Sequence, residues 1–449
     1  MAPGAAAPPG GGTIWVGIDD TDSPRGGCTT WVLTELLALA RESKVDLIGE
    51  PRLVRLNPNI PWKTRGNAAL SARFGVGAGP PRTVGEVDGA PIRSYARGRA
   101  LPREVRDGFR TAAWERVLRR ARRGDPGTDP ALVTTDRPLP ASLYWRAVRK
   151  VVPVEDVRTM LVRVGAWWRT DGSDRGLIGA SATIAWPGRR PTWELTAYRS
   201  ENRTDRVRRV DARSVLAAAR RHPSLFLSFD PRTRRLLVSP HTACPVLFGL
   251  RSTRPGPALL ARRMVRSEPV DRWVLFRTNQ GSGDHLVDRP ARDLAAYLSA
   301  RFRATVARPP EVRPGGHVVL PVTAEDGVEV DCLAFEPTKT LPRVAQQLVP
   351  GDRLVVWGSS GPGPSFRLEG FRLEALVDRG RGREPPRCPT CGRVARSLGR
   401  DRGYRCPSCR HRLPPEAARQ RRAGATLALG EYHPTPSARR HLAPRAPEP

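Results

Sequence analysis

Three carboxylates fall within four residues near the start of the chain, in the run Asp19-Asp20-Thr21-Asp22-Ser23-Pro24-Arg25-Gly26-Gly27-Cys28-Thr29-Thr30. Like charges this close raise one another's pKa unless a cation sits among them. Carboxylate oxygens are hard ligands, which suits Mg²⁺. Gly26 and Gly27 follow, and an apolar-periodic helix opens near Thr29 or Thr30. A helix start carries free N–H groups and the positive end of the dipole, which attract phosphate. Asp19, Asp20 and Asp22 are therefore candidate magnesium ligands and catalytic residues, and Gly26 and Gly27 candidate phosphate binders. No Gly-Lys-Ser/Thr follows, so this is not a Walker A loop. The competing reading is an acidic turn with a threonine cap.

A second polar cluster is Leu56-Asn57-Pro58-Asn59-Ile60-Pro61-Trp62-Lys63-Thr64-Arg65-Gly66-Asn67. Lys63 is one of only four lysines, beside Arg65 and Asn67, in a loop too rich in proline for helix. Such loops hold phosphate or a polar substrate, or are simply turns. A third combines Gly176-Leu177-Ile178-Gly179-Ala180-Ser181 with Trp193-Glu194-Leu195-Thr196. Its small residues admit close backbone approach and Glu194 can pair with a cation; a Gly-tight turn packed on a strand explains them equally. The fourth is Cys388-Pro-Thr-Cys391 with Cys406-Pro-Ser-Cys409. Two C-x-x-C knuckles at this spacing offer four thiolates to one structural Zn²⁺.

The elements that must carry these groups can be read from periodicity. Thr13 to Ile18 reads as a strand ending in the acidic run, with further strands at Gly49 to Leu56 and Ala69 to Val76. Arg103 to Arg123 reads as a helix with Val105, Phe109, Ala113, Val117 and Leu118 facing a core and its arginines in solvent. Helices are expected near Ser142 and over Val154 to Trp168 and Val210 to Arg221, and a hairpin over Leu225 to Val238. Five later strand candidates, with a helix over Leu341 to Leu348 between the third and fourth, follow the order of an OB barrel. The fold class expected is multi-domain α+β. Its divisions are a disordered leader (1–12), a catalytic unit (13–150), an α+β unit (151–267), an OB-fold unit (268–380), a zinc ribbon (385–415) and a basic proline-rich tail (416–449).

The 449 residues carry a formal charge of +32, with a pI near 11.4. Compositional bias explains arginine replacing lysine but not the surplus over acids, which points to a polyanionic nucleic-acid partner. No apolar run approaches the roughly 20 residues of a membrane helix, so no membrane partner is expected. An odd cysteine total of seven without a secretory signal argues for a reducing cytoplasm.

Taken in order, GIDDTDSP through CTT, LNPNIPWKTRGN, GLIGASA, WELTAYR, PVLFGLRS, FRTNQG and SARRHL resemble the agmatidine synthases of archaea, the tRNA(Ile) 2-agmatinylcytidine synthetases. The likeness runs from about Thr13 to Arg445. It implies a kinase-like catalytic domain, a ferredoxin-like domain, an OB fold and a zinc ribbon. It also implies a cytoplasmic ligase that consumes ATP, releases AMP and pyrophosphate, and replaces the C2 oxygen of the wobble cytidine in a CAU-anticodon isoleucine tRNA with agmatine. On this resemblance Thr29 matches a threonine that becomes phosphorylated, and Lys63, Arg65 and Asn67 match the substrate-side loop. Gly176, Gly179, Ser181 and Glu194 fall where an agmatine pocket is expected. Gly27 stands where methionine is common, and the stretch from Arg99 to Asp136 is long and basic. The alternative is a non-catalytic RNA-binding protein with an OB fold and zinc ribbon.

Overall fold

The computed structural model describes residues 12–64, 66–204, 206–363, 365–377, 381–399, 401–422 and 427–445. All but the last residue of the expected leader therefore lies outside the described residues, as does Arg65.

The strand Ile14–Asp19 alternates β-branched residues, and Val16 and Ile18 are wholly buried. It pairs antiparallel with Ala68–Ala78 on one side and Ala131–Thr135 on the other, which makes it a central strand. Thr29–Glu42 follows as a helix with an apolar face on this sheet. On the other face lies the helix Gly176–Ala185, nearly all of it buried. It crosses so closely that a Cβ at Gly17 would overlap the carbonyl of Ala180. Glycine at 17 thus lets the helix reach the strand that carries the acidic run.

Strand pairing does not stop at residues 150 or 268. Trp167–Thr170 adds to Ala131–Thr135, so the helix expected over Val154 to Trp168 ends at Val164. Gly165, at φ +67°, caps it in the left-handed region. Thr192–Tyr198 lies between Val246–Ser252 and Arg272–Thr278. The last of these also pairs with Arg82–Val87 and, in parallel, with Arg52–Arg55. One sheet therefore runs through both of the first two units. The hairpin Arg82–Val87 with Ala90–Tyr95 was not anticipated from the sequence.

The helix Arg103–Arg120 buries Phe109, Ala113 and Val117, whereas Val105 is exposed, contrary to expectation. Its arginines are not all solvated either. Arg116 and Arg120 reach the buried Glu35 at 3.4 and 3.1 Å, and Arg272 meets the same carboxylate at 2.6 Å. Burial pushes the Glu35 carboxyl up, but the hydrogen bonds from Arg272 and Arg120 outweigh it and hold the group below its usual range. Glu35→Ala leaves the buried Arg272 guanidinium without its closest partner and is expected to cost about 3–5 kcal/mol. With the folded pKa depressed, this contribution is complete above the unfolded value of about 4.3 and fades as pH falls through the folded one. Urea titrations of both proteins at neutral and acidic pH should show the gap narrowing in acid.

Ser299–Val306, His317–Ala324, Glu329–Ala334, Arg353–Ser360 and Phe366–Ala375 form a separate closed barrel. The first strand pairs with the second and fourth, the second with the third, and the fifth with the fourth and, in parallel, with the third. The helix Thr340–Ala345 lies between the third and fourth strands, as expected. Three two-residue strands, Arg396–Ser397, Tyr404–Arg405 and Arg412–Leu413, build the small cysteine domain beyond it. The segment expected as a basic tail returns to the body: Gly430–Tyr432 pairs with Phe366–Ala375, and residues 436–445 run back across both units.

Candidate active site

A cavity of about 500 Å³ opens where the first strand ends. Asp19, Asp20 and Asp22 line one end with Thr29 and Thr64. Asp22 Oδ1 accepts hydrogen bonds from the hydroxyls of Thr29 (3.4 Å) and Thr64 (3.3 Å). This carboxylate thereby joins the helix start to the loop of Lys63. Asp20 stands at φ +51°, which turns the chain sharply after Asp19 at a cost of about 1–2 kcal/mol.

Asp19 is buried, and its Oδ1 accepts the Asp20 N–H at 2.9 Å. Burial first, then the charges of Asp20 and Asp22, push its carboxyl well above the usual range. Burial, Asp22 and Asp129 push Asp20 up to about 7, with Arg175 opposing. Asp129 and Arg175 are thus members of the site that sequence reading missed. Asp129 sits two residues before the strand Ala131–Thr135, whose first residue pairs with Asp19. Its signal was therefore an acid at the matching end of a neighbouring strand, visible only once register is known. Ser173 fixes Asp129 through its N–H (2.9 Å) and hydroxyl (2.5 Å). Arg175 stacks on Trp62 at 4.1 Å.

The remaining expected residues divide. Lys63 and Asn67 line the cavity. The Lys63 ammonium donates to the Ile60 carbonyl at 2.9 Å, and burial with Arg440 and Arg367 nearby lowers its pKa. Asn67 Nδ2 donates to the Asn57 carbonyl at 2.7 Å. Gly26 and Gly27 do not line the cavity. They turn the chain from Ser23 into the helix, Gly26 spending its N–H on the Ser23 carbonyl at 3.2 Å, and they pack on Arg122.

Gly176, Gly179 and Ser181 also lie outside the cavity lining, within the buried helix beneath it. A Cβ at Gly179 would overlap the Asp19 carboxylate, so this glycine makes room for the acid. Glu194 does line the cavity, but its charge is already matched: Gln280 donates to it, and Arg251 lies 3.8 Å away. Arg55, Arg251, Arg235 and Arg439 line the same cavity and make it cationic. His441, from the returning C-terminal segment, completes it and was missed as a site residue.

In the small domain, the sulfurs of Cys388, Cys391, Cys406 and Cys409 lie within 4.8 Å of one another. Tetrahedral Zn–S bonds of about 2.3 Å imply S···S separations of about 3.8 Å, so the four thiols fit one zinc. Metal analysis of purified protein should find about one Zn²⁺ per chain. Cys388→Ser or Cys409→Ser should lose it and loosen this domain, because a ribbon this small takes its folding energy from the metal. Reduced protein with no zinc would overturn the assignment.

Three family profiles match the chain: the TiaS TCKD domain over residues 15–169, the TiaS FLD domain over 174–285 and the TiaS C-terminal zinc ribbon domain over 385–421. A relative from Methanopyrus kandleri, the isoleucine-tRNA 2-agmatinylcytidine synthetase TiaS, is 36% identical over 452 residues, covering 95% of each protein. The chain belongs to the TiaS family. Among solved structures, the complex of TiaS with its isoleucine tRNA and ATP matches with a TM-score of 0.77 and 31% identity. The complex of TiaS with that tRNA, AMPCPP and agmatine matches with a TM-score of 0.77 and 28% identity, and each match covers 96% of both chains. The TiaS profile boundaries agree with the strand pairing. The TCKD match reaches Arg169, within the strand Trp167–Thr170, and the FLD match takes in Arg272–Thr278. Among the described residues no helix is long and apolar enough to cross a membrane.

Proposed function

We propose that this chain is an ATP-dependent ligase that joins agmatine to C2 of the wobble cytidine of the CAU-anticodon isoleucine tRNA, releasing AMP and pyrophosphate. The observation that carries the reading is the convergence of Asp19, Asp20, Asp22, Thr29 and Thr64 in a cavity that Arg55, Arg235, Arg251 and Arg439 also line. The C2 oxygen of cytosine is a poor leaving group, and an amine displaces it only after cleavage of ATP into AMP and pyrophosphate has activated it, the oxygen departing on one of those two groups. Phosphoryl transfer is mostly positioning and charge stabilisation, which is what such a cavity offers. A kinase-like role for the first unit rests on the same residues, and a ferredoxin-like assignment of the second on its α+β layering.

The crowded carboxylates fit a divalent cation. Burial, Asp20 and Asp22 push Asp19 up, and burial, Asp22 and Asp129 push Asp20 up, with Arg175 opposing the shift of Asp20. Asp19, Asp20 and Asp22 would hold Mg²⁺, which supplies charge neutralisation on phosphate oxygens. Thr29 stands at the start of its helix, in contact with Asp22, where it can meet a phosphoryl group. Lys63 and Asn67 line the same cavity, and Arg65 lies between them in the sequence. Arg55, Arg235, Arg251 and Arg439 attract anions of the nucleotide or RNA backbone.

The deciding experiment is mass spectrometry of wobble nucleosides in tRNA incubated with the protein, ATP and agmatine. An unmodified cytidine leaves the RNA-binding alternative in possession. The barrel and arginine-rich surface should make tRNA affinity fall steeply with salt, by about 10³-fold or more between 50 and 200 mM for six or more phosphate contacts. An isolated anticodon stem-loop should bind more weakly. Salt-independent binding would mean that the charge surplus makes no phosphate contacts.

A further inference from the structure

The oxygen activated in the proposed reaction, on C2, is present in both cytosine and uracil. The two bases differ at position 4, where cytosine offers an N–H donor and uracil an acceptor. Selectivity for cytidine, on the proposed function, therefore calls for a hydrogen-bond acceptor that cannot turn into a donor. Hydroxyls lining the cavity rotate and do not meet that condition.

His441 does. Its tautomer follows from its neighbours. A carboxylate accepts only, so the side-chain amide of Gln280 must present its NH₂ to Glu194. Arg251 Nε donates only, and it lies 3.0 Å from Gln280 Oε1, which agrees. His441 Nδ1 lies 3.2 Å from that same oxygen and must therefore be the N–H. In the neutral ring Nε2 is then left with a lone pair. Arg55, burial and Arg251 keep the ring neutral by pushing its pKa well below the usual value. Among the described residues Nε2 has no hydrogen-bond partner, and it faces Gly66 in the Lys63 loop. The same arginines disfavour a cationic ligand here, so a neutral N–H donor is the group that fits.

We propose that His441 is a specificity-determining residue whose Nε2 accepts the 4-amino group of the target cytosine and opposes O4 of uracil. Glu194 and Gln280 act behind it as positioning residues that fix its tautomer.

The test compares kcat/KM for agmatine transfer to full-length isoleucine tRNA carrying cytidine or uridine at the wobble position. Wild type should prefer the cytidine, and His441→Ala should shrink that preference about 10- to 100-fold, mainly by losing rate on the cytidine tRNA. Equilibrium binding of the two tRNAs, which needs no turnover, should show the same loss of discrimination. Asn67→Ala runs beside it, because Asn67 Oδ1 is a second fixed acceptor in the cavity. A ratio unchanged in His441→Ala, whether or not both rates fall, overturns the proposal. So does a ratio lost in Asn67→Ala alone. If wild type transfers no agmatine to the wobble cytidine, the functional reading itself fails and takes this inference with it. Transfer with unaltered selectivity in the variant removes only the role of His441.

Discussion

Asp20→Ala and Asp22→Ala are each expected to abolish AMP formation and agmatine transfer while leaving tRNA affinity nearly unchanged. Both side chains line the cavity end where Thr29 and Thr64 converge. RNA binding rests on phosphate contacts spread over an arginine-rich surface, so it should survive the loss of one acid. Charge stabilisation is commonly the largest part of phosphoryl-transfer catalysis, and solvent does not replace a carboxylate held in place at the reacting group. A fall of at least about 10³-fold is therefore expected. The pH profile provides a second check. With its pKa pushed up to about 7 in the absence of a cation, Asp20 is half protonated near neutrality. Metal binding must displace that proton, so activity at limiting Mg²⁺ should rise through about pH 7 and the rise should move to lower pH as Mg²⁺ increases. Stability runs the other way. A carboxyl with a raised folded pKa favours the folded state at low pH and loses that advantage as pH rises from its unfolded value of about 3.9 through the folded value of about 7, so the metal-free protein should soften over that range. Full turnover in both variants would remove the acidic run as catalytic centre.

Local chemistry was legible in the sequence; long-range pairing was not. The acidic run, the cysteine knuckles and the five barrel strands with their helix all announce themselves through spacing within a few tens of residues. The strand Arg272–Thr278 does not. Its apolar run is equally consistent with opening the barrel unit, and only its pairing with Thr192–Tyr198 and Arg52–Arg55 assigns it to the large sheet. Trp167–Thr170 was absorbed into the helix before it because Gly165 is an inconspicuous stop in an otherwise apolar stretch. The Gly176–Ser181 motif was legible as a close approach, and the group that Gly179 admits is the Asp19 carboxylate. Asp129 and His441 belong to the site only because strand register and a returning C-terminal segment bring them there. No local pattern carries that information.

That returning segment should also prove essential, and Arg440→Ala is the variant that tests it. Arg440 reaches Glu369 of the barrel at 3.0 Å and the side-chain oxygen of Asn59, in the loop that carries Lys63, at 2.5 Å. His285, wholly buried, meets the same Glu369 at 2.9 Å. One guanidinium thus ties the barrel to the loop of Lys63 through a carboxylate that is itself almost completely buried. Burial raises the Glu369 pKa, but His285 and Arg440 outweigh it and hold the group below its usual range. Losing the arginine leaves that charge with the histidine alone, at an expected cost of about 3–5 kcal/mol measured by urea denaturation at neutral pH. Since the folded pKa is depressed, the difference from wild type should shrink as pH falls below about 4.3 and Glu369 is protonated in both proteins. Both contacts come from one guanidinium nitrogen, Nη1, so Arg440→Lys, which keeps the charge on a single donor nitrogen, should recover part of the stability. Asn59→Ala separates the two consequences. It releases the loop while keeping the Glu369–Arg440 pair, so turnover should drop with little loss of stability. Equal stability losses in Asn59→Ala and Arg440→Ala, or an undiminished turnover in both, would show that the segment merely packs and does not hold the Lys63 loop for catalysis.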